Sequence, residues 1–310
     1  MKILFMGTPE FAKVSLEFLI NNNYNVAGVV TQPDKPQGRK MILTPPPVKE
    51  YAVSKNIEVY QPATLRNQEF QDLLEKISPD IIILVAYGKI MPKNVIDYPK
   101  YGCINVHASL LPKHRGASPI NAAIMQGDEV TGITTIYMDE GIDTGDMILK
   151  AEIKIGENEN FGELHDRMAV LGGEVLIKTL KQIENGTVKR EKQAEDNATH
   201  TKKIDNEICV IDWNKSVKEI HNLIRALSPN IGALTCFDDK KLKIFKSEVI
   251  AMPENLKDKQ NGEFIVNGKN FDIKAKGGAV RIFELQLEGS KRMSAIDFIN
   301  GRKLTGGNLK

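Results

Sequence analysis

The chain has 310 residues, 41% hydrophobic and 26% charged, which is ordinary for a globular protein and long enough for two domains without a staple of disulfides or metal. The net charge is +2, and the three cysteines, Cys103, Cys209 and Cys236, form no CxxC pair; this argues against a disulfide framework and for a reducing, cytoplasmic setting. No stretch approaches 18 apolar residues, and MKILFMGTPEF lacks the features of a secretory leader, so neither a membrane span nor an export signal is expected.

Residues 2–6 form an apolar run of buried-strand type that ends in the turn Gly7-Thr8-Pro9, and Val14, Phe18 and Leu19 then fit one face of a helix. Further strands are expected at 26–30, at 81–85 (IIILV), at 103–106 and at 133–138. Continuous apolarity, as in IIILV, is typical of parallel strands buried on both faces. Strands separated by helical segments imply βαβ units, so the fold class predicted is α/β, with a Rossmann-like, mostly parallel sheet in the N-terminal domain. Ligand sites in such sheets form beyond the carboxyl ends of the strands. GTP after the first strand, AYG after IIILV, and His107 onward after the 103–106 strand all fall there.

Between 33 and 47 lies a loop with five prolines together with Lys35, Arg39 and Lys40, too polar and proline-rich for a buried element. A helix is expected over 161–184, where Phe161, Leu164, Met168, Leu171 and Val175 make one apolar stripe and Gly186 follows as a stop. Residues 189–206 contain few large apolar groups and read as a linker, which separates a domain of residues 1–188 from one of residues 207–310. In the latter, Ser216 and Glu219 form a capping box opening a helix. Short runs near 234–237, 242–250, 263–266, 271–275 and 279–287 then read as a small β-barrel or β-sandwich, and a smaller, OB-like C-terminal β-barrel is the fold predicted.

The two parts differ in charge. Residues 207–310 carry 18 Lys and Arg against 13 Asp and Glu, a net of +5, whereas residues 1–206 carry 24 against 27, a net of −3. A basic domain suits a polyanion such as nucleic acid, although on charge alone a lysine-rich solvated surface is the commoner reading.

The chemistry concentrates in 105–119, NVHASLLPKHRGASP. Asn105 and His107 lie two apart at a strand end, so both side chains share one face. An Asn amide can polarise a carbonyl oxygen, and a His can move protons near neutral pH. Asp143, in MDEGIDTGD, is the acid that would orient the His if parallel neighbouring strands bring the two loops together. On spacing alone, a lone His after a strand is more often a satisfied turn residue than a catalyst. His107 and His114 stand seven apart with no HExxH, so no metal site is expected. Neither GxGxxG nor a P-loop is present.

INVHASLLPKHRGASPI resembles the signature of the folate-dependent formyltransferases, and GIDTGD resembles the same family's catalytic-aspartate loop. MGTPEFA, TQPDKPQGRKMILTPPPVK and IDWNKS with IRALSP further resemble the branch that formylates methionine carried on initiator tRNA. The family's usual Pro-x-Pro-Gly-Ala is replaced here by Pro229-Asn-Ile-Gly-Ala233. The resemblance implies Asn105, His107 and Asp143 as catalytic residues, Ser109, Leu110, Leu111 and Pro112 as a wall of the folate pocket, and Arg39 and Lys40 as tRNA contacts. It implies 10-formyltetrahydrofolate as formyl donor, no metal, initiator methionyl-tRNA as acceptor, and a cytoplasmic monomer. Transfer to a small amine such as an amino sugar is the alternative within the family.

Overall fold

The computed structural model describes residues 1–38 and 41–309, so Arg39 and Lys40 lie outside the described residues. Two compact units emerge: Met1–Gly116 with Thr131–Ile153 and His165–Thr201, and Ala117–Val130 with Lys154–Leu164 and the chain from Lys202 onward.

The first unit is built on a seven-stranded sheet. Its order is Met147–Lys154, Val130–Tyr137, Cys103–His107, Ile81–Val85, Lys2–Gly7, Asn25–Val30 and Val59–Tyr60. The five strands from Cys103–His107 to Val59–Tyr60 pair in parallel. Every residue of Ile81–Val85 and of Cys103–His107 is buried, as a sheet covered on both faces requires. Helix Glu10–Asn21 starts directly after the first strand at a tight approach: a Cβ on Gly7 would lie 2.7 Å from Ala12 Cβ and 2.9 Å from the Val85 carbonyl oxygen. The long helix spans Phe161–Glu184, and from His165 onward it belongs to this unit; Leu164, Met168 and Val175 of the apolar stripe are buried.

One joint departs from expectation. Cys103–His107 pairs with Val130–Tyr137 antiparallel, with Ile104 opposite Tyr137 and His107 opposite Thr134. Val130–Tyr137 therefore leaves the sheet at the far end from His107, and Asp143 reaches the site because loop 138–146 folds back. Direction was not legible because a strand buried on both faces reads the same either way; residues 131–136 are all buried.

The polar stretch after the long helix is held in the first unit as far as Thr201. Glu191 and Met147 exchange both backbone hydrogen bonds, at 2.8 and 2.9 Å, and His200–Thr201 pairs in parallel with Arg115–Gly116. Backbone and side-chain hydrogen bonds, not apolar burial, dock it, which is why its composition resembles a linker.

The second unit is a curled antiparallel half-barrel ordered Ala233–Phe237, Lys240–Ile250, Gly278–Leu287, Asn270–Ala275, Glu263–Asn267 and Gly306–Asn308. Register shifts between Ile244 and Ser247 bend the long central pair. Phe237, Phe264, Phe271 and Phe298 fill it, with ring centroids 4.9 to 6.2 Å apart. Helix Val217–Ala226 opens with the expected capping box. Helix Pro119–Gln126 belongs to this unit too: Asn121 Nδ2 donates to the Ala226 carbonyl at 2.7 Å. Arg225, 7% exposed, ties down the inserted segment by donating to the carbonyls of Gly156 and Glu159 at 3.2 and 2.9 Å.

Candidate active site

Asn105 and His107 lie in the middle and at the carboxyl end of the strand Cys103–His107 and are 7% and 6% exposed. Asp143 joins them from loop 138–146. Its Oδ1 accepts from Asn105 Nδ2 at 3.1 Å, its Oδ2 accepts from the Gly116 backbone N–H at 2.9 Å, and the same oxygen lies 3.5 Å from His107 Nδ1. The three side chains expected from the sequence are thus brought together.

His107 Nε2 lies 2.9 Å from the His114 carbonyl oxygen. A carbonyl only accepts, so Nε2 carries the hydrogen, and Nδ1 is protonated only when the ring is cationic. The His107–Asp143 contact is attractive when one proton lies between the two groups. This is an arrangement that can take up a proton and release it.

The loop carrying Asp143 is rigidly shaped. Asp139 Oδ1 accepts from the Gly141 N–H at 3.0 Å and from Thr144 Oγ1 at 2.6 Å. Gly145 is obligatory, since a Cβ there would lie 1.7 Å from the Tyr137 carbonyl oxygen. Asp143 itself is left-handed, with φ 55°. Four backbone-directed bonds hold the facing loop. Thr134 Oγ1 donates to the Ser109 carbonyl at 2.7 Å and accepts from the Leu111 N–H at 3.1 Å, Ser109 Oγ donates to the Lys113 carbonyl at 2.6 Å, and the His114 N–H donates to Thr199 Oγ1 at 2.8 Å.

These bonds bear on Ser109–Pro112. Ser109 and Leu111 are buried, and Leu111 packs on Ile136 and Met147. Leu110 and Pro112 are half-buried and retain surface for a ligand. Neither Arg39 nor Lys40 is among the described residues, but the flanks of their loop form a short ribbon, Lys35–Gln37 against Ile42–Thr44, with Met41, Ile42 and Leu43 exposed.

Two further groups at the site were not found from the sequence. Arg115, 1% exposed, donates from Nε to Gln193 Oε1 at 3.0 Å and from both Nη atoms to Glu195 at 3.0 and 2.8 Å. The hydrogen bonds to Glu195 raise the Arg115 pKa, and those to Arg115 lower that of the Glu195 carboxyl. Gln193 Nε2 donates to the carbonyls of Asp143 and Gly145 at 2.8 and 2.9 Å. Arg115 sits within the motif 105–119 and so carried a signal; Gln193, in a polar stretch with no pattern, carried none. Among the described residues, no group of three or more His, Cys, Asp or Glu is placed to hold a metal ion. No helix among them is long and apolar enough to cross a membrane.

Comparison with known proteins gives this geometry a lineage. Residues 1–180 match the family model described as formyl transferase, and residues 203–303 match that of the formyl transferase C-terminal domain. The chain is 47% identical over 308 residues to the methionyl-tRNA formyltransferase of Ruminiclostridium cellulolyticum, covering 99% of this chain and 98% of that one. It is 48% identical over 312 residues to the methionyl-tRNA formyltransferase of Caldicellulosiruptor saccharolyticus, covering 100% and 99%. Among solved structures, the N-formyltransferase of Helicobacter canadensis, in complex with folinic acid and dTDP-3-aminofucose, superimposes with a TM-score of 0.69 at 22% identity, over 94% of this chain and 100% of that one, a likeness of fold. With both of its halves matched and its relatives aligned from end to end, the chain belongs to the formyl transferase family.

Proposed function

We propose that the chain transfers the formyl group of 10-formyltetrahydrofolate to the α-amino group of methionyl-initiator tRNA, giving N-formylmethionyl-tRNA in the cytoplasm. The observation that carries this reading is the cluster of Asn105, His107 and Asp143 in a chain nearly half identical, over its whole length, to methionyl-tRNA formyltransferases.

The neutral amine attacks the formyl carbon, a C–N bond forms, and the formyl oxygen takes the charge. One Asn105 amide hydrogen is held by Asp143; the other is available to that oxyanion. The His107–Asp143 pair takes the proton released by the attacking amine and returns it to the departing folate nitrogen as the old C–N bond breaks. The folate supplies the activated formyl group when bound. Leu110 and Pro112 give it an apolar wall, while Ser109 and Leu111 shape that wall from inside. The Ser109 hydroxyl hydrogen and the Leu111 N–H are already given to acceptors within the protein, so neither donates to the pterin edge, while the Ser109 Oγ lone pairs can still accept from it. Arg39 and Lys40 contact the tRNA, as does the basic segment 207–310.

The test is a formyl-transfer assay offering methionyl-tRNA, glycinamide ribonucleotide and an amino sugar side by side. Transfer to methionyl-tRNA alone is expected, and transfer to the amino sugar alone overturns the reading. Arg39→Ala is expected to weaken transfer to methionyl-tRNA with folate binding nearly unchanged; equal loss of both moves Arg39 to the folate site.

A further inference from the structure

The 189–201 stretch passes the two loops that meet at the site, and one side chain in it bonds to both. Gln193 Oε1 accepts from Arg115, on the loop that follows His107, and Gln193 Nε2 donates to the carbonyls of Asp143 and Gly145, on the opposite loop. A carboxamide is planar, with its donor and acceptor at a fixed separation, so movement at one end is passed to the other. Arg115 cannot follow such a movement freely, because it is buried and clamped at its far side by Glu195.

The bonds fall where they matter most. Asp143 is held left-handed, a conformation that a non-glycine residue keeps only when its surroundings impose it. The two carbonyls bonded by Gln193 belong to the Asp143–Thr144 and Gly145–Asp146 peptides, so the amide fixes the backbone from which the carboxylate projects toward Asn105 and His107.

We propose that Gln193 is a positioning residue for formyl transfer, and that its carboxamide, backed by Arg115, sets the separation between the Asp143 carboxylate and the His107 imidazole. The assignment rests on the function proposed above. It is separable from a role in stability. Gln193 is half-buried, and its stretch is docked independently by Glu191 on Met147, by the Thr199 carbonyl on the Arg115 N–H at 2.8 Å, and by the His200–Thr201 strand pair.

Two variants of the full chain test it. Gln193→Leu removes both the donor and the acceptor at nearly constant size. Gln193→Glu keeps the acceptor for Arg115 but sets an oxygen against two carbonyl oxygens. In both, kcat is expected to fall about tenfold to a hundredfold, the effect of a catalytic group misplaced by about 1 Å. KM for the formyl donor and for methionyl-tRNA is expected to stay within about twofold, with the melting temperature nearly unchanged. A wild-type kcat in either folded variant overturns the proposal, as does a rise in donor KM that matches the fall in kcat. Failure of both variants to fold also overturns it, since Gln193 is then a stability residue. Should the wild type itself fail to formylate methionyl-tRNA, the proposed function fails and the crystal structure of Gln193→Leu decides this inference alone. Asp143 drawn away from Asn105 and His107 upholds it, and an unmoved Asp143 overturns it.

Discussion

Asp143 in the first unit and Asp272 in the second are both carboxylates withdrawn from solvent, with side chains 14% and 3% exposed. They are used in opposite ways. Asp272 faces a permanent cation, its cross-strand neighbour Arg281, through paired bonds of 2.7 and 2.9 Å. Both of its oxygens are committed to a guanidinium that keeps its charge. Asp143 has two neutral N–H donors and a histidine, and that histidine is a cation only while it holds a proton. A permanent cation closes a buried carboxylate into structure, while a conditional one leaves it able to serve a reaction. The difference lies in the titrating partner, not in the acid or its burial.

The largest effects come from breaking the conditional centre. Asn105→Ala and His107→Ala are each expected to lower kcat about a hundredfold or more, the usual cost of a lost oxyanion donor or proton-transfer group. Thermal unfolding should be little changed. Asp143→Asn should be comparably impaired, because its amide turns an N–H toward one of the donors it must accept from. Steady-state formyl transfer by the purified variants measures all three, and near-normal turnover in any one removes that residue from the mechanism.

Breaking the permanent pair should reverse the pattern. Asp272→Ala removes both charge-assisted hydrogen bonds of the partly buried Arg281 and is expected to cost about 2 kcal/mol of stability in denaturant unfolding. The expected change in kcat is none. A folded Asp272→Ala enzyme of full stability but impaired turnover would erase the contrast between the two carboxylates.

His221 sharpens the comparison by pH. It is 6% exposed and meets Ser247 Oγ at 3.0 Å; burial, reinforced by neighbouring Arg225, pushes its pKa down from 6.5 to about 4. Its folded pKa lies below its unfolded value, so acid favours the unfolded chain. The stability held above pH 6.5 drains away as pH falls toward 4. Between pH 7 and pH 5 this amounts to roughly 2 kcal/mol. His221→Gln should flatten that part of the stability profile, and an unchanged profile would show that His221 does not govern it.

Much of this architecture was legible because it is local. IIILV is a short, β-branched run typical of a strand covered on both faces, Ser216 and Glu219 bond each other across three residues, and the two-residue spacing of Asn105 and His107 puts them on one face wherever the strand goes. What was hidden depends on where the chain returns. The antiparallel joint beside Cys103–His107 leaves no mark on the apolar pattern. The two backbone carbonyls that Gln193 bonds are present in any sequence, so nothing in 189–206 announces its contact with the site. The ribbon flanking Arg39 and Lys40 is three residues a side, too short to show a period.

Helix Pro119–Gln126 and the 154–164 segment belong to the second unit although stretches of the first surround them in the chain. That interleaving governs how the protein can be made and cut. On the ribosome, Asn121 emerges 105 residues ahead of the Ala226 carbonyl that it will bond, so the first half cannot complete its structure vectorially. The polypeptide passes between the units at 116/117, 130/131, 153/154, 164/165 and 201/202. A chimera that exchanges only the stretch after 201 would ask a foreign barrel to accept a helix and a loop it never evolved beside. Exchanging the second unit means moving three separate pieces of sequence together.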